Sequence, residues 1–91
     1  VYEMMRMPGG MLAYGVPSYR LKNSVVLNEC GAIEHLGAKV YLNTKVGRDI
    51  SFNELEEKYD AIFIGVGLWK SRDLPIPGAY LPDVIRGIEY L

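Results

Sequence analysis

The sequence predicts an α/β fold built on a small parallel sheet of about three strands with flanking helices. Three observations lead there. Strand-like and helix-like patterns alternate along the chain, and parallel sheets are threaded by such alternation. The run Ala61-Ile62-Phe63-Ile64-Gly65-Val66 is continuously apolar, as a strand covered on both faces requires. Ser51-Phe52-Asn53-Glu54 marks a helix start between two of the strands.

In chain order, Val1-Tyr2-Glu3 reads as the end of a strand already under way. A glycine- and proline-rich loop follows, Pro8-Gly9-Gly10 through Gly15-Val16-Pro17. Its Met11, Leu12, Tyr14 and Val16 make it too apolar for a solvated loop, so it is expected to lie against a ligand or another domain. Asn23 to about Leu36 is helical, with Val26, Cys30, Ile33 and Gly37 on one face and Leu27 alongside; Gly37 stands where a C-terminal cap belongs. Lys39–Asn43 alternates as a strand, and Thr44–Gly47 turns. The capping box at Ser51 starts a short helix that runs to about Tyr59. Ala61–Val66 is the best strand and Gly67 ends it. Leu68–Gly78 is a loop with Pro75 and Pro77, and Val84–Leu91 opens a helical pattern with no stop signal. Both ends are abrupt, so residues 1–91 read as a single partial domain cut from a larger one.

Composition narrows the function classes. The 91 residues carry a formal net charge of -1, with no run of like charges to steer a nucleic acid. No apolar run approaches the roughly 20 residues of a membrane helix. The one cysteine, Cys30, excludes an internal disulfide, a CxxC redox pair and a thiolate-rich metal site, and it fits a reducing, cytoplasmic setting. Redox chemistry in such a chain must come from a bound cofactor.

A few residues have the chemistry for a dinucleotide-facing edge, each with a plainer alternative. Glu3 closes a strand, where an acidic residue accepts hydrogen bonds from a ribose; it also reads as a surface glutamate. Gly9 and Gly10, followed by Met11 and Leu12, let the main chain approach a ligand closely, and an ordinary turn explains the glycines equally well. Arg20 offers a planar fork of donors to a pyrophosphate, or stands solvated near a helix start. Val66 and Gly67 lie at the carboxyl end of the best strand, where open parallel sheets bind ligands, or simply turn the chain. There is no GxGxxG and no Walker-type loop. Cys30 reads as a small buried hydrophobe and His35 as a surface residue near a helix C-terminus. Trp69, Lys70, Ser71 and Arg72 flank a ligand or belong to an ordinary loop. The tyrosines are scattered without forming a stacking platform. No side chain is assigned as acid, base, nucleophile or metal ligand.

Val1-Tyr2-Glu3 and the string Pro8-Gly9-Gly10-Met11-Leu12-Ala13-Tyr14-Gly15-Val16-Pro17-Ser18-Tyr19-Arg20-Leu21 closely resemble the small (beta) subunit family of glutamate synthase and related flavin oxidoreductases. The likeness continues through Leu36-Gly37, Leu42–Gly47, Tyr59–Gly67, Trp69–Arg72 and Ile76-Pro77-Gly78, nearly the whole chain. The resemblance implies a partial Rossmann-like FAD-binding domain that lacks its first βα unit. It implies NAD(P)H and iron-sulfur clusters bound outside the segment, with electrons passing from NAD(P)H through FAD to those clusters or to a larger catalytic subunit. It places Glu3 on the adenosine ribose, Gly9 and Gly10 with Met11 and Leu12 along the flavin side, and Arg20 at the pyrophosphate. Val46 would meet the adenine through its backbone, and Val66 and Gly67 would lie near the pyrophosphate or flavin.

Without the first strand and its glycine turn, FAD binding by these residues alone is expected to be weak or absent. The same gap exposes two rows of backbone groups, so self-association or rearranged pairing is expected. The alternative function is a non-catalytic piece that docks a partner subunit and binds no cofactor.

Overall fold

The computed structural model describes all 91 residues. Four helices form: α1 (Met11–Tyr14), α2 (Asn23–His35), α3 (Phe52–Lys58) and α4 (Gly87–Tyr90). No extended β-strand is present, only isolated bridges at Tyr2–Tyr41 and Val46–Ile50. The expected sheet of about three parallel strands is therefore corrected: these residues do not build a Rossmann-like sheet on their own.

The helices follow local chemistry closely. At α3 the Glu54 amide donates to the Ser51 hydroxyl at 3.2 Å, and the Ser51 amide donates to the Glu54 carboxylate at 2.8 Å. Both halves of the capping box are thus made, and two orphan helix donors are satisfied. At the end of α2, Gly37 adopts φ +99. Its amide donates to Glu34 and the next amide, of Ala38, donates to Ile33. That crossed pair is a Schellman closure, which needs a residue tolerant of left-handed backbone at Gly37.

The sheet fails for two separate reasons. The segments 1–5 and 39–44 do start a parallel ladder: Tyr41 donates to Val1 and Glu3 donates to Tyr41. Continuing it would require the Met5 amide to reach the carbonyl of Asn43. Instead that amide donates to the Glu3 carboxylate at 2.8 Å. Asn43 turns away at φ +53, a conformation asparagine tolerates better than most residues. The ladder stops after one bridge. Ala61–Val66 fails differently, because it makes no backbone–backbone hydrogen bond at all. An apolar strand without a lateral partner gains nothing from its pattern, and Phe63 is 95% exposed.

Tertiary packing is correspondingly thin. Only Ala13, Val26 and Leu55 are buried. The contact between helices is α1 on α2. Gly9 makes that contact feasible, since a Cβ there would stand 2.4 Å from Val26 Cγ1. The expected apolar face of α2 is only partly covered: Val26 is buried, Cys30 is half-buried, and Leu27 and Ile33 are exposed. A second cluster joins the start of the chain to α3. Tyr2 stacks on Tyr41 with ring centroids 4.9 Å apart, and Tyr59 meets Tyr2 edge-on at 6.3 Å. The Lys58 ammonium lies 5.6 to 6.0 Å from all three rings and donates to the Tyr2 hydroxyl. Sequence spacing hid this convergence of tyrosines. The hydrogen bond between the Tyr2 and Tyr59 hydroxyls, 3.2 Å long, pulls the Tyr2 phenol below its ordinary value and raises that of Tyr59. Lys58 is raised by the same hydroxyl.

Candidate functional site

The nine residues singled out for a dinucleotide fall into two groups and one outlier. Glu3 and Val46 belong to the first group. The Glu3 amide donates to Tyr41 and its carbonyl accepts from Thr44, so the segment leading to Val46 runs directly beside it. One carboxylate oxygen of Glu3 is taken by the Met5 amide. The other makes no hydrogen bond within the chain, so most of the acceptor capacity of Glu3 is unused. Val46 sits in a tight turn held from below: the Lys45 amide donates to the Asp49 carboxylate at 2.8 Å, and Gly47 donates to the Ile50 carbonyl. Arg48 grips the same carboxylate and holds Asp49 below the usual carboxylate range, with the Lys45 amide adding to the effect. The Val46 amide itself has no partner.

Gly9, Gly10, Met11 and Leu12 form the second group together with Val66 and Gly67. Gly10 precedes α1 at φ +53, and a Cβ there would find no heavy atom within 4 Å. Gly67 is at φ +67, with only the indole nitrogen of Trp69 near, at 3.9 Å. The amides of Gly9, Gly10, Val66 and Gly67 all lack a hydrogen-bond partner. Unpartnered backbone donors at turns with open space beside Gly10 and Gly67 are groups from which a phosphate or flavin ring edge accepts. At the backbone level these unpartnered amides are compatible with a dinucleotide.

Two residues that sequence reading did not connect bring these segments together. Tyr14, on α1, meets Trp69 edge-on with centroids 5.7 Å apart. Trp69 donates its indole N–H to the Val66 carbonyl at 3.0 Å, and the Tyr14 hydroxyl accepts the Met7 amide at 2.9 Å. The signal was present in part, since an aromatic in a greasy glycine loop asks for a partner, but nothing in the spacing names Trp69.

Arg20 is the outlier. It sits in a turn after Pro17, exposed and without an ion pair, and no hydrogen bond joins it to either group. Two surface concavities also lie elsewhere, one along α2 around Leu27 and His35, the other within residues 71–89. None of the nine residues lines them. His35 is exposed on α2, its Nδ1 donating to the Gly31 carbonyl at 2.7 Å. No helix is long and apolar enough to cross a membrane.

No protein-family model matches the chain. Curated proteins do. The glutamate synthase [NADPH] small chain of Azospirillum brasilense is 35% identical over 91 residues, all of this chain and 19% of its own length. That of Halomonas elongata is 36% identical over 83 residues, 91% of this chain and 18% of its own. The NADP(+)-dependent formate dehydrogenase subunit beta of Moorella thermoacetica is 42% identical over 78 residues, 86% of this chain and 11% of its own. The chain thus spans a fifth or less of the length of these relatives. The Azospirillum brasilense match takes in the whole of this chain, both glycine turns included, and on these matches the chain belongs to the glutamate synthase small-chain family of oxidoreductases.

Proposed function

We propose that residues 1–91 are part of the FAD-binding domain of an NAD(P)H-dependent oxidoreductase of the glutamate synthase small-chain type. The observation that carries the reading is the pair of bare glycine turns, Gly10 and Gly67, whose free amides are tied into one region by Tyr14 and Trp69. When bound, FAD supplies the acceptance of hydride from NAD(P)H and the release of single electrons to iron-sulfur centres or a larger partner subunit. This chain's residues position it. Gly9 and Gly10, with Met11 and Leu12, border the flavin side, and Val66 and Gly67 offer amides near the pyrophosphate. Glu3 accepts from the adenosine ribose through its free carboxylate oxygen, and the Val46 amide faces the adenine. Arg20, with no competing ion pair, is free to close on the pyrophosphate. A cytoplasmic setting goes with this reading.

The test uses the protein expressed from its complete reading frame. It is expected to purify with a flavin absorbance band that NADPH or NADH bleaches without oxygen, and Glu3→Ala is expected to lower FAD retention about tenfold, the effect of one charge-assisted hydrogen bond. A folded protein that holds no flavin, even after incubation with FAD, would falsify the reading. A second reading, a docking piece without cofactor, is favoured by one observation: Ala61–Val66 is apolar, exposed and unpaired. Under that reading a partner subunit binds the chain equally well with and without FAD.

A further inference from the structure

Residues 60 to 73 make no backbone–backbone hydrogen bond. One side-chain bond organises the middle of this stretch, from the indole Nε1–H of Trp69 to the Val66 carbonyl at 3.0 Å. It closes a return over Gly67, whose positive φ of 67° permits the reversal. The folded-back indole then meets the Tyr14 ring with centroids 5.7 Å apart and planes at 68°. Tyr14 is fixed in turn, because its hydroxyl accepts the Met7 amide at 2.9 Å. A continuous chain of contacts therefore joins the main chain at Met7 to the main chain at Val66. It passes beside both unpartnered glycine turns. Aromatic rings with a hydrogen-bonded handle are suited to this task, since they are rigid spacers with two rotatable bonds.

We propose that Tyr14 and Trp69 are positioning residues that set the spacing between the Gly9–Gly10 loop and the Val66–Gly67 turn, so that both backbone edges meet one flavin nucleotide. This inference rests on the flavin reading above. Neither ring is assigned a contact with the ligand; each acts through the main chain it holds. A stretch as poor in hydrogen bonds as residues 60–73 has little else to fix the turn.

The test separates the clasp from its ligand. In the 91-residue chain Trp69 is the single tryptophan, so its indole N–H resonance and emission report on the clasp without flavin. Tyr14→Leu is expected to speed exchange of that N–H and shift the emission to the red. Tyr14→Phe keeps the ring edge but loses the hydroxyl that accepts the Met7 amide, and is expected to move both in the same direction to a smaller extent. In the complete reading frame, Trp69→Phe and Tyr14→Leu are expected to weaken FAD binding about tenfold, as a misplaced binding edge does, and to alter the visible circular dichroism of the bound flavin. Tyr14→Phe is expected to weaken FAD binding less than Tyr14→Leu does. Equal FAD affinity and identical flavin spectra in Trp69→Phe and Tyr14→Leu overturn the positioning role and leave the flavin reading standing. An intact indole clasp in a folded protein that takes up no flavin overturns the flavin reading, and the ligand assigned to the clasp goes with it.

Discussion

Gly9 and Gly10 are adjacent in sequence but are needed for different reasons, and substitution separates them. At Gly9, φ is +107 and an added Cβ would lie 2.4 Å from Val26 Cγ1 and 3.3 Å from Ala13 Cβ. Two of the three buried residues would have to move. Gly9→Ala is expected to destabilise the chain by about 2–4 kcal/mol, from backbone strain and overpacking together. At Gly10 the space is open, so Gly10→Ala is expected to cost only the strain of its backbone, about 1–2 kcal/mol, while obstructing the ligand edge. Urea unfolding of both variants checks the difference; equal losses would mean that the α1–α2 seat is not what Gly9 protects. Legibility differs in the same way. The sequence marked both glycines as sites of close approach. It did not separate approach by a ligand from approach by Val26, because that distinction depends on where α2 lands.

At the scale of elements, what was legible is what is local. The Ser51–Glu54 box and the Gly37 closure formed as expected, since their hydrogen bonds span only a few residues. The strands were misread because a strand is defined by a neighbour. Lys39–Asn43 found Val1–Glu3 for one bridge, and Ala61–Val66 found nothing. α1 was missed for the opposite reason: its one turn is closed by the backbone of Gly9 and Gly10, residues that read as helix breakers. The capping box also predicts a pH dependence. Hydrogen bonds from the Ser51 hydroxyl, and then from its amide, hold the Glu54 carboxyl below its ordinary value. A carboxyl lowered in the folded state stabilises α3 above its unfolded value, and that contribution is lost as pH falls through the folded one. Helix signal by circular dichroism is therefore expected to decline below the ordinary glutamate range. Glu54→Gln should flatten this decline, and Ser51→Ala should weaken α3 by about 1 kcal/mol at neutral pH. An unchanged acid profile in Glu54→Gln would assign the loss to other carboxylates, Asp49 first among them.

At the scale of the whole molecule, the surface is too large for the chain that bears it. The accessible area is 7888 Å², against about 5,300 Å² for a folded monomer of this mass. The radius of gyration is 16.6 Å, against about 12 Å for a compact domain of this length. The excess area exceeds the roughly 800 Å² each partner contributes to a standard interface. Part of the uncovered apolar surface lies on Ala61–Val66, with Phe63 95%, Ile64 65% and Val66 72% exposed on a segment that makes no backbone–backbone hydrogen bond. Such a segment, uncharged and free of proline, is a template for another strand. Light scattering of the 91-residue chain is expected to rise in apparent mass with concentration. A lysine on the open edge opposes strand addition, so Ile64→Lys is expected to suppress the rise. Val25→Lys, at an exposed position on α2, adds the same charge away from the edge and is expected to leave it unchanged. Equal suppression by both would trace association to net charge. Suppression by Ile64→Lys alone would place it on Ala61–Val66, the segment whose apolar pattern asks for cover on both faces and whose backbone has none.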